Sequence, residues 1–171
     1  RKVWNGAIDH RPRLTARCHT AADVSAALRY AGAEGLDVSV RGGGHNFAGN
    51  AVWPDGLTVD LGAMNEVRVD PDARTAVCQG GALLSRLDAA TQEHGLAVPS
   101  GTISHTGVGG LTLGGGFGWL THDHGLSIDN LLPAQVVLAD GSVVEASEDE
   151  NPDLFWAIRG GGGNFGVVTS F

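Results

Sequence analysis

Residues 41–46 combine two residue types that together could hold and modify a phosphate-bearing ligand. The segment reads Arg-Gly-Gly-Gly-His-Asn and directly follows the apolar run at 37–40. Three consecutive glycines allow backbone N–H groups to converge on an anion. His45 offers a ring nitrogen at the same place. The segment therefore indicates a phosphate-bearing cofactor beside a reactive imidazole, and a flexible loop with an exposed histidine is the alternative.

A second glycine-dense segment covers residues 101–120 and places small hydroxyl side chains among its glycines. Hydroxyl and amide groups in such a segment can satisfy phosphate oxygens and the polar edge of a flat ring. The segment lacks the Gly-Lys-Ser/Thr of a Walker loop and the GxGxxG fingerprint of dinucleotide-binding folds. It therefore indicates phosphate binding outside the common motifs, and we expect residues 97–118 to form a loop.

The composition limits the classes of protein and of ligand. The chain has 171 residues, enough for one core or two small lobes. Glycine accounts for 27 of them, more than twice its usual share of about 7%. The net charge of −8 and the absence of a Lys/Arg cluster exclude a basic nucleic-acid-binding face. Because basic side chains are scarce, backbone N–H groups and helix N-termini would have to hold a phosphate.

Apolar spacing and turn residues predict the elements that position these segments. A first helix begins after Thr20, carries Asp23 in its first turn and ends at Gly35. Further helices are predicted over 82–94 and over 151–159, which opens with Asn-Pro. The β-α-β order near the start indicates a parallel sheet, and a later Asp-Gly turn indicates an antiparallel hairpin. Strands are predicted at 37–40, 57–61, 66–69, 75–79, 134–139, 142–146 and 166–171.

Four segments, in this order, resemble the FAD-binding domain of the vanillyl-alcohol-oxidase/p-cresol-methylhydroxylase (PCMH-type) superfamily. These segments are 41–46, 101–120, 125–130 and 153–166. The resemblance extends over about 12–171 and is closest to berberine-bridge-enzyme-like and 6-hydroxynicotine-oxidase-like flavoproteins. It implies an α+β fold of two α/β lobes, one with a small parallel sheet and one with a mainly antiparallel sheet. The lobes are expected at about 1–62 and 63–171, with the substrate domain absent from this chain.

The resemblance also implies roles for individual residues. His45 matches the histidine that, in this family, bonds to the 8α-methyl carbon of FAD. Members with two covalent links carry a cysteine where this chain has Ile103, so the resemblance implies one link, through His45. Tightly bound but non-covalent FAD is the alternative, and for His105 a surface or packing role is an alternative. Cofactor contacts are implied for Arg41, Gly42, Gly43, Gly44, Asn46, Gly101, Thr102, His105, Thr106, Gly107, Gly109, Gly110 and Val167.

The resemblance implies an oxidase of alcohols, amines or sugar-like hydroxyls that transfers hydride to flavin N5 and is reoxidised by O2. A small-molecule substrate and O2 are the expected partners of the full-length enzyme, and the oligomeric state stays open. The family draws its catalytic base largely from a second domain, so the 171 residues alone should hold FAD without turning over substrate. The alternatives are a non-catalytic nucleotide- or partner-binding module and a dehydrogenase of the same fold that uses another acceptor.

The remaining residues capable of chemistry give weaker signals. Cys18 and Cys78 lie far apart in apolar surroundings, which disfavours a zinc site and favours buried free thiols, with a disulfide left open. The His-Asp-His segment at 122–124 is weak support for a metal, and no metal site is expected. Three aromatic side chains are expected in the core: Trp119, Phe155 and Trp156.

The ends and the apolar runs of the chain bear on its location. No apolar run approaches the length that crosses a membrane, and no signal-peptide pattern opens the chain. These features favour a cytoplasmic location without membrane partners, although the chain begins without Met. The apolar end at 167–171 is typical of a strand, and we expect the sequence to be a piece of a longer enzyme.

Overall fold

Three small sheets and the helices packed against them form an α+β fold, as the sequence predicts. The computed structural model describes residues 2–171. Its elements are β1 (Leu14–Arg17), α1 (Ala21–Glu34), β2 (Val38–Arg41), β3 (Leu57–Asp60), β4 (Val67–Asp70), β5 (Thr75–Cys78), α2 (Leu84–Gln92), α3 (Val108–Leu113), α4 (Thr121–His124), a 3₁₀ turn (Ser127–Asn130), β6 (Ala134–Val137), β7 (Val143–Ala146), α5 (Pro152–Ile158) and β8 (Val167–Ser170).

The first sheet is parallel and has the order β1-β3-β2. Its central strand, β3, is buried along Leu57, Thr58 and Val59. Helix α1 covers the sheet with Val24 and Leu28, which recur at helical spacing and are both buried. This sheet confirms the predicted parallel unit, and the carboxyl end of β2 leads directly into the first glycine-dense segment.

Helix α1 begins and ends at the predicted residues because both ends are capped. Asp23 N donates to Thr20 Oγ1 at 3.2 Å, and Thr20 N donates to Asp23 Oδ2 at 3.0 Å. Three hydrogen bonds lower the pKa of the Asp23 carboxyl: one with the His19 backbone, one with the Thr20 side chain and one with the Thr20 backbone. Gly35 closes the helix at φ 63°, where a glycine has no steric penalty.

The other two sheets are antiparallel. Strands β4 and β5 form a hairpin, and the third sheet has the order β7-β6-β8. Cys78 N donates to Phe171 O and Phe171 N donates to Cys78 O, both at 2.8 Å, so the end of β5 runs beside the end of β8. The core around α1 also includes Val137 and Val167 of the third sheet. The predicted lobe boundary near residue 62 stays a prediction.

The predicted loop at 97–118 contains helix α3, so this part of the prediction was wrong. Val108 and Thr112 are both buried, as expected for residues four apart on one helix face. Leu111, on the adjoining face, packs against the core under α2. Glycines make up two of the six residues of α3 and hide its helical pattern in the sequence, because glycine disfavours a helix in isolation. Packing of the apolar face stabilises the helix instead.

Two of the three aromatic residues expected in the core lie on the surface. Trp119 is 85% exposed and Trp156 is 80% exposed, whereas Phe155 is 4% exposed. On α5, Phe155 and Ile158 face the core and Trp156 points outward. Asn151 precedes this helix, but its side chain donates to Glu145 O instead of capping the helix.

Both cysteines are buried and free, which confirms the prediction of buried thiols. Burial raises the pKa of each thiol to about 11, and the carboxylates of Asp23 and Asp60 add to the effect at Cys18. Within residues 2–171, no helix is long and apolar enough to cross a membrane. The same residues contain no cluster of three or more His, Cys, Asp or Glu side chains that could hold a metal ion.

Candidate functional site

The two glycine-dense segments lie against each other. A Cβ added to Gly43 would lie 2.6 Å from Gly107 Cα, and a Cβ added to Gly107 would lie 2.9 Å from Gly43 Cα. Real Cβ atoms do not approach backbone this closely, so each position admits only glycine unless the backbone moves. We name residues 41–46 the first loop and residues 101–107 the second loop. The two loops are in backbone contact, 60 residues apart in the sequence.

Neighbouring segments hold both loops in place. The first loop leaves β2, and Leu61 N donates to Arg41 O at 2.9 Å. The second loop is bonded to the start of α2, where Leu84 N donates to Thr106 O at 2.9 Å and Ser85 N donates to Ser104 O at 2.8 Å. These bonds join each loop to a regular element, which fixes their separation.

A cleft of about 260 Å³ opens where the loops meet. Its lining includes Arg41, Gly42, Gly43 and His105, which the sequence predicts as site residues. The lining also includes residues that the sequence analysis missed: Gly62, Asn65, Gly81, Leu83 and Arg86. Nothing in their own sequence motifs signals this position, because they reach the cleft only through the packing of β3, β5 and α2.

The first loop, which lines one end of the cleft, contains donors that lack acceptors. Arg41 Nε is buried and has no hydrogen-bond partner within residues 2–171. Its other guanidinium nitrogens lie 3.4 Å from Asp60 Oδ1 and 3.1 Å from Lys2 O. The backbone N–H groups of Gly42, Gly43 and Gly44 donate to no acceptor in the same described part of the chain. A buried donor without a partner is costly, so this end of the cleft favours a ligand with acceptor oxygens.

The other first-loop residues shape the turn. Gly44 has φ 70°, a conformation that glycine adopts without strain, and it is buried. Asn46 is exposed, and its Oδ1 accepts from Asn50 N at 3.0 Å, which closes the following turn.

The remaining candidates of the second loop and of α3 divide between packing positions and open positions. A Cβ on Gly101 would lie 2.6 Å from Leu111 Cδ1, and one on Gly109 would lie 2.9 Å from Gly80 O. Gly110 lies in α3 with no atom within 4 Å of an added Cβ, and Thr102 is exposed. Thr106 is half-buried. Gly109 is therefore required for packing against backbone whether or not a ligand contacts it, whereas Gly101 faces the ends of Leu side chains that can rotate away.

His105 lines the cleft, and His45 of the first loop pairs with it without being part of the cleft lining. Nδ1 of His105 lies 2.7 Å from Nε2 of His45, and the ring centroids are 4.7 Å apart. Burial is the largest cause that lowers the pKa of His45, and the charge of His105 lowers it further. The fold therefore favours the neutral imidazole, which is the nucleophilic form.

Trp4 also belongs to this site, and the sequence analysis missed it. Its indole stacks on His45, with ring centroids 5.5 Å apart and an interplanar angle of 25°. The segment that carries Trp4 is bonded to the first loop, where Trp4 N donates to Gly44 O at 2.9 Å. An exposed tryptophan 41 residues before its partner gives no sequence signal for this contact.

Val167 is not among the residues that line the cleft between the loops. Its side chain is buried in the core around α1, so a contact with adenine would have to come from its backbone. A larger cleft of about 370 Å³ lies between β1 and α1, and it contains none of the predicted site residues. The smaller cleft between the loops, in contrast, is lined by four of the predicted site residues, and one of them, His105, contacts His45.

Comparison with known proteins identifies the fold and the cofactor. Residues 12–147 match the model of a family described as FAD binding domain. The chain belongs to this FAD-binding domain family. FAD is therefore the cofactor, which confirms the resemblance in the sequence.

Individual members of the FAD-binding domain family match nearly the whole chain. The (R)-6-hydroxynicotine oxidase of Paenarthrobacter nicotinovorans is 45% identical over 98% of this chain and 36% of its own length. The crystal structure of 6-hydroxy-D-nicotine oxidase from Arthrobacter nicotinovorans superposes with a TM-score of 0.97 at 44% identity, covering 99% of this chain and 37% of that one. The wild-type BBE-like 1 of Physcomitrella patens gives a TM-score of 0.94 at 34% identity, over 100% of this chain and 38% of that one.

A further neighbour carries its FAD on two covalent bonds. The glucooligosaccharide oxidase of Acremonium strictum contains 6-S-cysteinyl, 8α-N1-histidyl FAD. It is 40% identical, with a TM-score of 0.92, over 99% of this chain and 36% of that one. This chain thus spans little more than a third of the length of the relatives that it matches.

The donor set of the cleft fits FAD. The diphosphate of FAD carries anionic oxygens, and the cleft offers the unpaired Arg41 Nε and the free amides of the first loop. At Gly43 and Gly107 the loops meet backbone against backbone, with no room for a Cβ atom. This contact leaves N–H groups accessible beside it. Glycine density thus serves both loop packing and the exposure of donors.

Proposed function

We propose that this chain holds FAD in a flavin-dependent oxidase and links the cofactor covalently through His45. The observation that carries the proposal is the contact between the two loops, which brings a neutral imidazole beside unpaired backbone donors. The pKa of His45 lies below the ordinary histidine value, so its ring has an available lone pair at neutral pH.

The chain's own residues divide the work of holding the cofactor. The amides of Gly42, Gly43 and Gly44 and the Arg41 guanidinium would hold the diphosphate, and His45 would anchor the flavin end. The other candidates, in the second loop and at Gly109 and Gly110 of α3, would also contact the cofactor. When bound, FAD supplies the redox chemistry by accepting a hydride at N5. Ile103 offers no nucleophile where a second link would form, so we expect a single covalent bond.

The class of substrate follows from the relatives. Their names describe oxidases of 6-hydroxynicotine and of glucooligosaccharides, which are small molecules carrying an amine or sugar hydroxyls. We extend this class to the whole protein to which this chain belongs, with O2 as electron acceptor. We expect the base toward such a substrate to come from residues outside this chain, so these 171 residues alone should hold FAD without oxidase turnover.

Denatured mass spectrometry tests the proposal. The flavin-free chain is incubated with FAD in air, precipitated with acid and weighed intact. The wild type should gain the mass of one FAD and keep flavin absorbance in the pellet, whereas His45→Ala should release all flavin on precipitation. His94→Ala, which removes an exposed histidine at the end of α2, is the matched control and should behave as the wild type.

Two results would contradict the proposal. A folded wild-type chain that stays colourless with excess FAD would show that it does not bind the cofactor. Covalent flavin in His45→Ala would show that another residue forms the link. Hydrogen peroxide release by the loaded 171-residue chain with an amine or sugar substrate would contradict the expectation that turnover needs residues outside it.

A further inference from the structure

His45 is held on two sides by residues from distant parts of the chain. The indole of Trp4 stacks on the imidazole, with ring centroids 5.5 Å apart. The His105 ring lies tilted by 33° and reaches Nε2 of His45 with its own Nδ1 at 2.7 Å. A ring with a stacked partner and a hydrogen bond at one nitrogen has a defined rotation.

The position of Trp4 is itself fixed by hydrogen bonds on both flanks of the first loop. Trp4 N donates to Gly44 O at 2.9 Å, and Arg41 Nη2 donates to Lys2 O at 3.1 Å. On the other flank, Asn5 Nδ2 donates to the backbone oxygen of Phe47 at 2.8 Å. The segment around Trp4 is therefore laid along the loop, and its indole covers His45 as a consequence.

These contacts make the two nitrogens of His45 unequal. Nε2 is engaged with His105, whereas Nδ1 has no hydrogen-bond partner within residues 2–171. We propose that Trp4 and His105 are positioning residues that fix the His45 ring, with Nε2–H donating to His105 Nδ1. This arrangement leaves free Nδ1, the histidyl N1 that carries the flavin in the glucooligosaccharide oxidase. The inference rests on the proposed function and specifies which residues prepare the attachment.

The coupling balances with dioxygen as oxidant. A C–N bond forms between Nδ1 and the 8α-methyl carbon, one C–H bond of the methyl group and the Nε2–H bond break, and dioxygen leaves as hydrogen peroxide with both hydrogens and both electrons. The lone pair of Nδ1 enters the new bond, and the Nε2 proton passes to His105 Nδ1. Because His105 is exposed, it can exchange this proton with water.

Burial of the His45 imidazole also supports a positioning role for Trp4. Desolvation is the first cause that lowers the pKa of His45, and Trp4 is a side chain that covers this ring. Removal of the indole should admit water and free the ring to rotate. Removal of the His105 ring should leave Nε2 without its acceptor.

The test measures the attachment of FAD and the state of His45 separately. The rate of covalent flavin formation is followed by denatured mass, and the linked nitrogen is identified by NMR of the proteolytic flavin peptide. His105→Phe should slow the reaction by roughly 10²-fold, the low end of what a positioned proton acceptor contributes. His105→Gln keeps an acceptor and should recover much of the rate. Trp4→Ala should slow attachment and Trp4→Phe should not.

A readout without flavin accompanies the rates. Long-range nitrogen-15 NMR of the flavin-free wild type should show His45 protonated at Nε2 and unprotonated at Nδ1. In His105→Phe the two tautomers should mix. Trp156→Ala, which removes a more exposed tryptophan from α5, and His94→Ala are the matched controls and should match the wild type in rate and spectrum.

The outcomes distinguish the positioning of His45 by Trp4 and His105 from the covalent attachment of FAD itself. A link through Nε2, an Nδ1–H tautomer in the wild type, or unchanged rates in both His105→Phe and Trp4→Ala would overturn the inference while leaving covalent FAD in place. Absence of any covalent flavin in the wild type would overturn the proposed function. The nitrogen-15 spectrum would still test whether His105 holds Nε2. The conservative Gln and Phe variants separate loss of positioning from loss of folding.

Discussion

The layer formed by α1 and the first sheet and the pair of glycine loops are held together by opposite means. In the layer, buried side chains such as Val24, Leu28 and Val59 fill the space between helix and sheet. In the loop pair, Gly43 and Gly107 bring backbone onto backbone with no side chain between them. Side-chain packing therefore stabilises the layer, whereas the contact between the loops requires that no side chain lie between them.

This difference determines how each region responds to an added methyl group. Gly32 lies inside α1 with no atom within 4 Å of an added Cβ, whereas Gly43 faces the backbone of Gly107. Backbone cannot rotate away as the end of a flexible side chain can. An added methyl group is therefore tolerated at Gly32 in α1, whereas at Gly43 it would force the two loops apart.

The largest expected effect is that of Gly43→Ala. Its Cβ would overlap the second loop, so we expect the free energy of unfolding to fall by about 1–3 kcal/mol, as in overpacked cores. Because the loops must separate, covalent flavin formation should also be lost. Urea unfolding followed by circular dichroism measures the first effect, and denatured mass measures the second.

Gly32→Ala is the matched control for that experiment. Alanine in a helix interior is favoured over glycine by about 0.5–1 kcal/mol, so this variant should be slightly more stable than the wild type and should bind FAD normally. Equal behaviour of Gly43→Ala and Gly32→Ala would show that the loops do not depend on bare backbone contact.

The protonation of His45 provides a test of the site that depends on pH. Burial and the charge of His105 lower the pKa of His45 below its ordinary value of 6.5. The folded chain therefore binds fewer protons here than the unfolded chain, and stability is lost as the pH falls from 6.5 through the lower pKa of the folded state. An NMR titration of the flavin-free chain should give a midpoint below 6.5, and His105→Gln should raise it. A midpoint at or above 6.5 in the wild type would contradict the assigned burial.

The smallest expected effect belongs to the supporting layer. Thr20→Ala removes the side-chain cap of α1 and should cost about 1 kcal/mol of unfolding free energy. The cap lies outside the cleft, so covalent flavin formation should stay at the wild-type rate. Thr20→Ser keeps the hydroxyl and serves as the control. Loss of flavin attachment in Thr20→Ala at a temperature where it is folded would show that the layer and the site are coupled.

Local sequence patterns predicted much of the fold. The start and end of α1 follow from Thr20, Asp23 and Gly35, because capping depends on neighbouring residues alone. Helix α3 was missed because its glycines oppose helix formation locally, and the burial of Val108 and Thr112 outweighs them. Trp156 was misplaced because the side of α5 that faces the core is set by packing with the third sheet.

The sequence by itself determined the family, the FAD cofactor and the two glycine-dense segments, since glycine runs and a neighbouring histidine are local signals. Only the tertiary structure decided which side chains surround His45. Trp4 and His105 lie 41 and 60 residues from it, and no periodicity connects such distant positions. Their contact arises from sheet packing that brings both loops and the first residues of the chain to one cleft, and this long-range packing is a property of the folded chain.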